Sequence, residues 1–394
     1  MSVEEVFRRE YGRAVSVLVR AVGDVGLAEE AVQDAFVGAV RRWPVDGLPP
    51  SPAGWLITTA RNRAIDRLRR EATRGDRHRQ ALDLLVAVPV EEGAVGDDRL
   101  RLIFTCCHPA LAAGVRVALT LRLLGGLSTA EVAATFLVPE ATMAQRLARA
   151  KNKIRDAAIP YRVPDRADLP ARLRGVLAVV YLIFNTGYSS VDRADLSVEA
   201  IRLGRVLTAM LPGEPEVAGL LALMLLGESR RRARVSAAGE PVLLADQDRT
   251  RWDRAMVAEG QDLVRQCLRR ARPGPYQIQA AINAVHSDAP STAATDWAQI
   301  VALYDQLMVI APTPVVALNR AVAVAECHGP AKALALVDAL DLDRYHLYHS
   351  VRGNLLRRLH RPGEATQALE RALALAPNDT DRTVLNTLLI EDRT

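Results

Sequence analysis

A chain of 394 residues is long enough for two to four domains with ordinary cores, and 49% hydrophobic with 25% charged residues is the balance of a globular protein. A net charge of +5 excludes a wholesale cationic coat, so any nucleic-acid contact has to be local. Four cysteines with no C-x-x-C pair argue against a disulfide framework and for a reducing, cytoplasmic setting.

The start, "MSVEEVFRREYG", is acidic and mixed, unlike a signal peptide. Helical periodicity runs through nearly every stretch outside the loops and β-branched alternation is almost absent, so the fold class is all-α. Residues 2–72 read as several helices broken at "VGDVG" and "WPVDGLPPSPAGW". The segment from Leu27 to Trp43 buries Leu27, Ala31, Ala35, Ala39 and Trp43, leaving Glu30, Gln33, Asp34, Val37 and Arg41 on another face. From Ser51 to Glu71, Trp55 opens a helix carrying Arg61, Asn62, Arg63, Arg67, Arg69 and Arg70. An aromatic beside dense arginine suits an unstacked base held by its phosphates, and equally suits a tryptophan capping a small core.

Residues 76–96 form a weakly patterned linker ending in an acidic, Gly-containing run, and a second helical block covers 97–159. Within it, Cys106, Cys107 and His108 are adjacent, which is poor zinc spacing and reads as buried thiols, so no metal is expected. Ser128 with Glu131 three residues on is a capping box, and Pro139 suits the first turn of a following helix. Met143, Leu147, Ala150 and Ile154 then fall on one face, with Thr142, Gln145, Arg146, Arg149 and Lys153 together on another. Such a helix-turn-helix either reads the major groove or carries a solvated basic face. Charge is local: Arg61–Arg79 nets +5 and Glu140–Arg155 nets +4.

Residues 160–170 are a Pro-rich linker. The longest apolar run, "VLAVVYLIF" from Val176, is too short to span a bilayer. Residues 171–290 are helical without a legible repeat. Residues 291–394 hold weak self-similarity, "GPAKALALVDAL" from Gly329 returning as "GEATQALERALALAP" from Gly363, at an offset of 34 residues that matches the tetratricopeptide period.

Taken together, the helix with Gln33, Asp34 and Phe36, the "P-x-x-W-L-x-x-x-A-R-N-x-x-x-D-x-x-R" run from Pro52 to Arg69, a linker and a helix-turn-helix resemble the extracytoplasmic-function group of bacterial RNA polymerase sigma factors. "CCHPAL", "YLIFNTGYSS" and the repeat-like tail resemble the subgroup with a large C-terminal extension. The resemblance implies a first sigma domain over 1–75 and a second over 97–159. It implies that Glu30, Gln33, Asp34 and Phe36 dock on core polymerase, and that Trp55, Arg61, Asn62 and Asp66 capture the minus-ten element. Thr142, Gln145, Arg146, Arg149, Lys151 and Lys153 would read the minus-thirty-five element. Ala144 and Ala148 depart from relatives that carry an Arg and an aromatic there, so fewer base contacts are assured.

Promoter DNA and core polymerase are thus the implied partners, with a protein or peptide ligand for the repeats, no cofactor, no membrane and no catalytic residue. The Ser189-Ser190 pair has no His or acid at telling spacing. A helix-turn-helix regulator with a tetratricopeptide sensor is the alternative. It would have no use for the Trp55 and Asp34 segments.

Overall fold

The computed structural model describes residues 3–72, 95–136, 138–189, 193–236, 241–376 and 379–391. The linker expected over 76–96 lies almost wholly outside the described residues, as do Ser190 and Pro377. Among the described residues the secondary structure is helical, apart from one isolated bridge between Val235 and Pro241. Two compact units emerge, Met1–Ser189 with Val198–Leu203, and Ser190–Ser197 with Gly204–Thr394.

The first unit begins with three helices, α1 (Val3–Val22), α2 (Val25–Asp46) and α3 (Pro52–Ala72). Asp24 caps α2 by accepting from the Leu27 N–H at 2.8 Å, so the helix begins at Val25, two residues before the Leu27–Trp43 segment read from the sequence. Its buried stripe is accordingly Ala28, Ala31, Val32, Ala35, Phe36, Ala39 and Trp43, and Leu27 is only half-buried. On α1, Ala14 through Val19 are all buried, six consecutive positions that cover every side of a helix.

Next come α4 (Val95–Cys106), α5 (Ala113–Leu123), α6 (Thr129–Thr135) and α7 (Glu140–Asp156). The capping box forms as expected, with Ser128 accepting from Glu131 N–H and the Glu131 carboxylate accepting from Ser128 N–H. Pro139 is the residue before α7 rather than within its first turn, because its ψ of 144° is extended. Met143, Leu147, Ala150 and Ile154 are the buried stripe of α7, as periodicity requires. Cys106 and Cys107 are buried, and burial pushes the Cys107 thiol up to about 11 despite its Thr120 neighbour.

The apolar run from Val176 lies inside α8 (Leu169–Ser189), whose Leu169–Tyr188 stretch is long and apolar enough by length and composition to cross a membrane. The run alone understates that length. α8 packs on α4 and α5, and Arg172 donates to the Phe104 carbonyl at 2.8 Å.

In the second unit, α10 (Pro215–Glu228) is apolar all round and is flanked by α11 (Arg254–Arg270) and α12 (Pro275–Asp288); α9 (Ala194–Met210), whose Val198–Leu203 belongs to the first unit, precedes it. From α13 (Trp297–Ile310) through α14 (Pro314–His328), α15 (Pro330–Asp338), α16 (His346–Arg358), α17 (Pro362–Leu375) and α18 (Asp379–Glu391), each helix packs on the next, the pattern of a helical repeat array. The two recurring segments open α15 and α17. At Gly353 a Cβ would come within 2.8 Å of Leu369, so α16 and α17 meet more closely than a side chain there would allow.

One cluster in this unit makes stability depend on pH. Arg249 lies 4.8 Å from the Trp252 ring and donates to the carbonyls of His286 and Ala289, while the His286 ring packs edge-on against Trp297. Burial, then Arg230 and Arg249, push His286 down to about 4, so the folded chain keeps it neutral. Between the ordinary histidine range and pH 4 the unfolded chain binds a proton that the folded one refuses, and stability falls as pH falls. The loss is at most about 3 kcal/mol. Melting curves from pH 7 to pH 4 should therefore drop less steeply for His286→Gln than for wild type; equal slopes would contradict this.

Candidate nucleic-acid interface

The outer face of α7 presents Gln145, Arg146, Arg149 and Lys153, all exposed, with Thr142 half-buried at its edge. Among the described residues no carboxylate pairs with Arg146, Arg149 or Lys153. Three cations, held by a rigid helix whose opposite face is buried, are suited to phosphates and base edges in a major groove. Ala144 and Ala148 are exposed between them, so the arginines are the longest groups on that face.

Lys151 is placed differently. Its Nζ donates to Glu29 Oε2 at 2.9 Å, and Arg122 Nε donates to Glu29 Oε1 at 2.6 Å. Glu29 is 3% exposed and also accepts from the Gln33 side chain at 2.9 Å. Paired and hydrogen-bonded in this way, a buried carboxylate is tolerated where a lone one would be costly. Sequence reasoning missed Glu29 and Arg122. The available signal was an acid at a position where the α2 period of Val25, Ala28, Val32 and Ala35 calls for an apolar side chain.

On α3, Asn62 and Asp66 are exposed and Arg61 is half-buried. Trp55 is half-buried rather than free, its ring edge-on to Trp43 at 5.4 Å between centroids. Its partial exposure leaves both readings of this tryptophan physically sound. On α2, Asp34 is exposed, Gln33 is half-buried, and Glu30 pairs with Arg67 of α3 at 2.5 Å. Phe36, by contrast, is 5% exposed and sits among Phe7 and Tyr11, its centroid 4.7 Å from that of Phe7. Next to Asp34, Val37 and Val40 are 51% and 59% exposed, an apolar flank on the same helix.

A small helical domain with an arginine-rich, Trp-edged helix, followed by a helix-turn-helix with an exposed cationic face, is the architecture of a nucleic-acid-binding protein. Comparisons make the class specific. Residues 6–74 match the Sigma-70 region 2 family, 101–154 match Sigma-70 region 4, and 172–268 match a family of unknown function, DUF6596. An uncharacterized protein of Rhizobium meliloti, R00370, is 45% identical over 389 residues, covering 94% of this chain and 90% of that one. The ECF RNA polymerase sigma factor SigK of Mycobacterium ulcerans is 31% identical over 150 residues, 37% of this chain and 75% of the relative. The probable ECF RNA polymerase sigma factor SigI of Mycobacterium tuberculosis is 27% identical over 217 residues, 52% of this chain and 74% of the relative. The chain belongs to the ECF RNA polymerase sigma factors and carries a large helical C-terminal extension; it is a promoter-recognising initiation factor.

Proposed function

We propose that the two sigma regions divide the promoter between them, with α2 docking on core polymerase through Glu30, Gln33, Asp34 and Phe36. Trp55, Arg61, Asn62 and Asp66 of α3 capture the minus-ten element. Thr142, Gln145, Arg146, Arg149 and Lys153 read the minus-thirty-five element, joined by Lys151 once it leaves Glu29. The observation that carries this reading is the unpaired cationic face of α7, since exposed arginines without acid partners are what phosphate and guanine require. Phe36 contributes from beneath, by fixing the α2 surface rather than by touching the partner.

The protein itself supplies no chemistry; polymerase performs nucleotidyl transfer, which places the protein with polymerase and the chromosome in the cytoplasm. The extension regulates the sigma regions in cis, and its helical array offers a surface for a protein or peptide signal.

Binding to core polymerase in the absence of DNA separates this reading from that of a helix-turn-helix regulator. Affinity capture with purified core polymerase should retain the wild-type chain and lose most of Asp34→Arg, a charge reversal at an exposed position that leaves the α2 core untouched. Failure of wild type to bind would remove the docking assignment.

A further inference from the structure

We infer that the C-terminal extension holds a binding site for a small amphipathic carboxylic acid, its apolar body in a cavity between α11, α12 and α13 and its carboxylate on Arg272. The cavity has a volume of about 300 Å³. Val264 of α11, Ile278 and Ala281 of α12 and Leu303 of α13 wall it, and Leu268 and Ala271 stand at its rim. Leu268 is 68% exposed, so apolar surface continues from the cavity out to solvent. At about 30 Å³ for one water, the space takes a body of roughly ten non-hydrogen atoms. Such walls favour a ligand that buries hydrocarbon.

The polar groups at the cavity decide the head group. Gln277, 7% exposed, spends both amide hydrogens, donating to Glu216 Oε1 at 3.0 Å and to the Arg272 carbonyl at 2.9 Å. It has no side-chain donor left for a ligand. Glu216 also accepts from the backbone N–H groups of Tyr276 and Gln277, both at 3.2 Å. Cys267 donates its thiol to the Pro215 carbonyl at 3.5 Å, and burial, then Glu216, push that thiol up to about 11 against the pull of Arg270. A neutral, engaged thiol is a soft wall rather than a nucleophile, so capture at this site is non-covalent.

Positive charge is what remains. Arg269, Arg270 and Arg272 are exposed, and Arg272 lines the cavity. The ion pairs of α11 lie at other turns, Glu259 with Arg205 and Asp262 with Arg265, so these three arginines have no carboxylate partner among the described residues. Arg269 and Arg270 complement the C-terminal dipole of α11, whereas Arg272 lies beyond the helix. Its backbone is held on both sides. Ala271 adopts the left-handed conformation at φ +48°, Gln277 grips the Arg272 carbonyl, and a Cβ at Gly274 would meet the Glu216 carboxylate at 2.3 Å. A guanidinium on a fixed turn suits a carboxylate through two parallel N–H bonds, and one such group at the cavity balances one charge rather than the two of a phosphate. Gln306, exposed on α13, adds a neutral donor at the rim.

As an input to regulation in cis this site rests on the reading above; as a binding site it does not. The test is isothermal titration calorimetry of the full chain with octanoate, octanol and acetate. Wild type should bind octanoate, bind octanol about tenfold more weakly for want of the charge-assisted bonds, and give no heat with acetate. Arg272→Gln should lower octanoate to the octanol level and leave octanol unmoved. Ala281→Leu, which fills the cavity, should weaken both by tenfold or more. Leu268→Asp, at a position exposed enough to spare the fold, should weaken octanoate more than octanol by setting a like charge at the rim. No binding of octanoate by wild type in the millimolar range would overturn the site, as would equal binding of octanoate and octanol, or variants that match wild type. Loss of cis regulation with octanoate binding intact would overturn the regulatory reading alone.

Discussion

Replacing Arg146 and Arg149 together by alanine removes promoter-directed transcription while leaving core polymerase binding intact. Each side chain is exposed on α7 without an acid partner, so truncation disturbs no fold contact that Met143, Leu147, Ala150 and Ile154 make. A bidentate arginine–guanine contact contributes about 1–3 kcal/mol of discrimination, and Ala144 and Ala148 leave no long neighbour to compensate. The single variants should each weaken promoter binding and the double variant more than either, measured by fluorescence anisotropy on promoter duplex with holoenzyme across a salt series. Wild-type affinity in the double variant at every salt concentration would contradict a reading role for α7. Lys151→Ala should behave differently, because it removes a partner of the buried Glu29 carboxylate as well as a cation.

A chain ended at Asp168 fails to form a stable first unit, whereas one ended at Leu203 folds. Helix α8 follows the Pro-rich boundary, yet it buries Leu173, Val176, Leu177, Val179, Val180, Ile183 and Phe184. At roughly 1.5–3 kcal/mol for each large apolar side chain, their removal forfeits at most about 10–20 kcal/mol. Typical native stability is itself only about 5–15 kcal/mol. Deleting α8 also strips the Arg172 bond from the Phe104 carbonyl and uncovers the α4–α5 core. Circular dichroism melts should give a cooperative transition for residues 1–203 and a broad, low one for 1–168. Matching melts would show that α8 is dispensable. Any test of regulation by deletion therefore has to cut after Leu203.

Much of this was legible beforehand, for reasons that differ by element. The helix-turn-helix was readable because a capping box and a four-residue apolar stripe are local signals, and both formed where the residues put them. Lys151 was harder: it lies four residues after Leu147, at the border of the buried stripe, and only a partner 122 residues away decides which way it turns. Phe36 falls on the period of Val32, Ala35 and Ala39, so its burial was available from spacing alone, and family resemblance drew attention away from it. The partners of α1 were not readable, since "AVSVLV" shows that the helix is covered all round without saying by what. In the extension, segments opening α15 and α17 announce themselves by repetition. α10 is apolar on every side and shows no face from which to infer its neighbours.

Run-off transcription with purified core polymerase on a promoter library tests the central claim most directly. The account predicts initiation from a defined subset of promoters that depends on this protein, sharing one sequence near minus ten and another near minus thirty-five, and lost in the Arg146→Ala, Arg149→Ala variant. Transcription that is unchanged by adding the protein, or that starts without regard to either element, would contradict it.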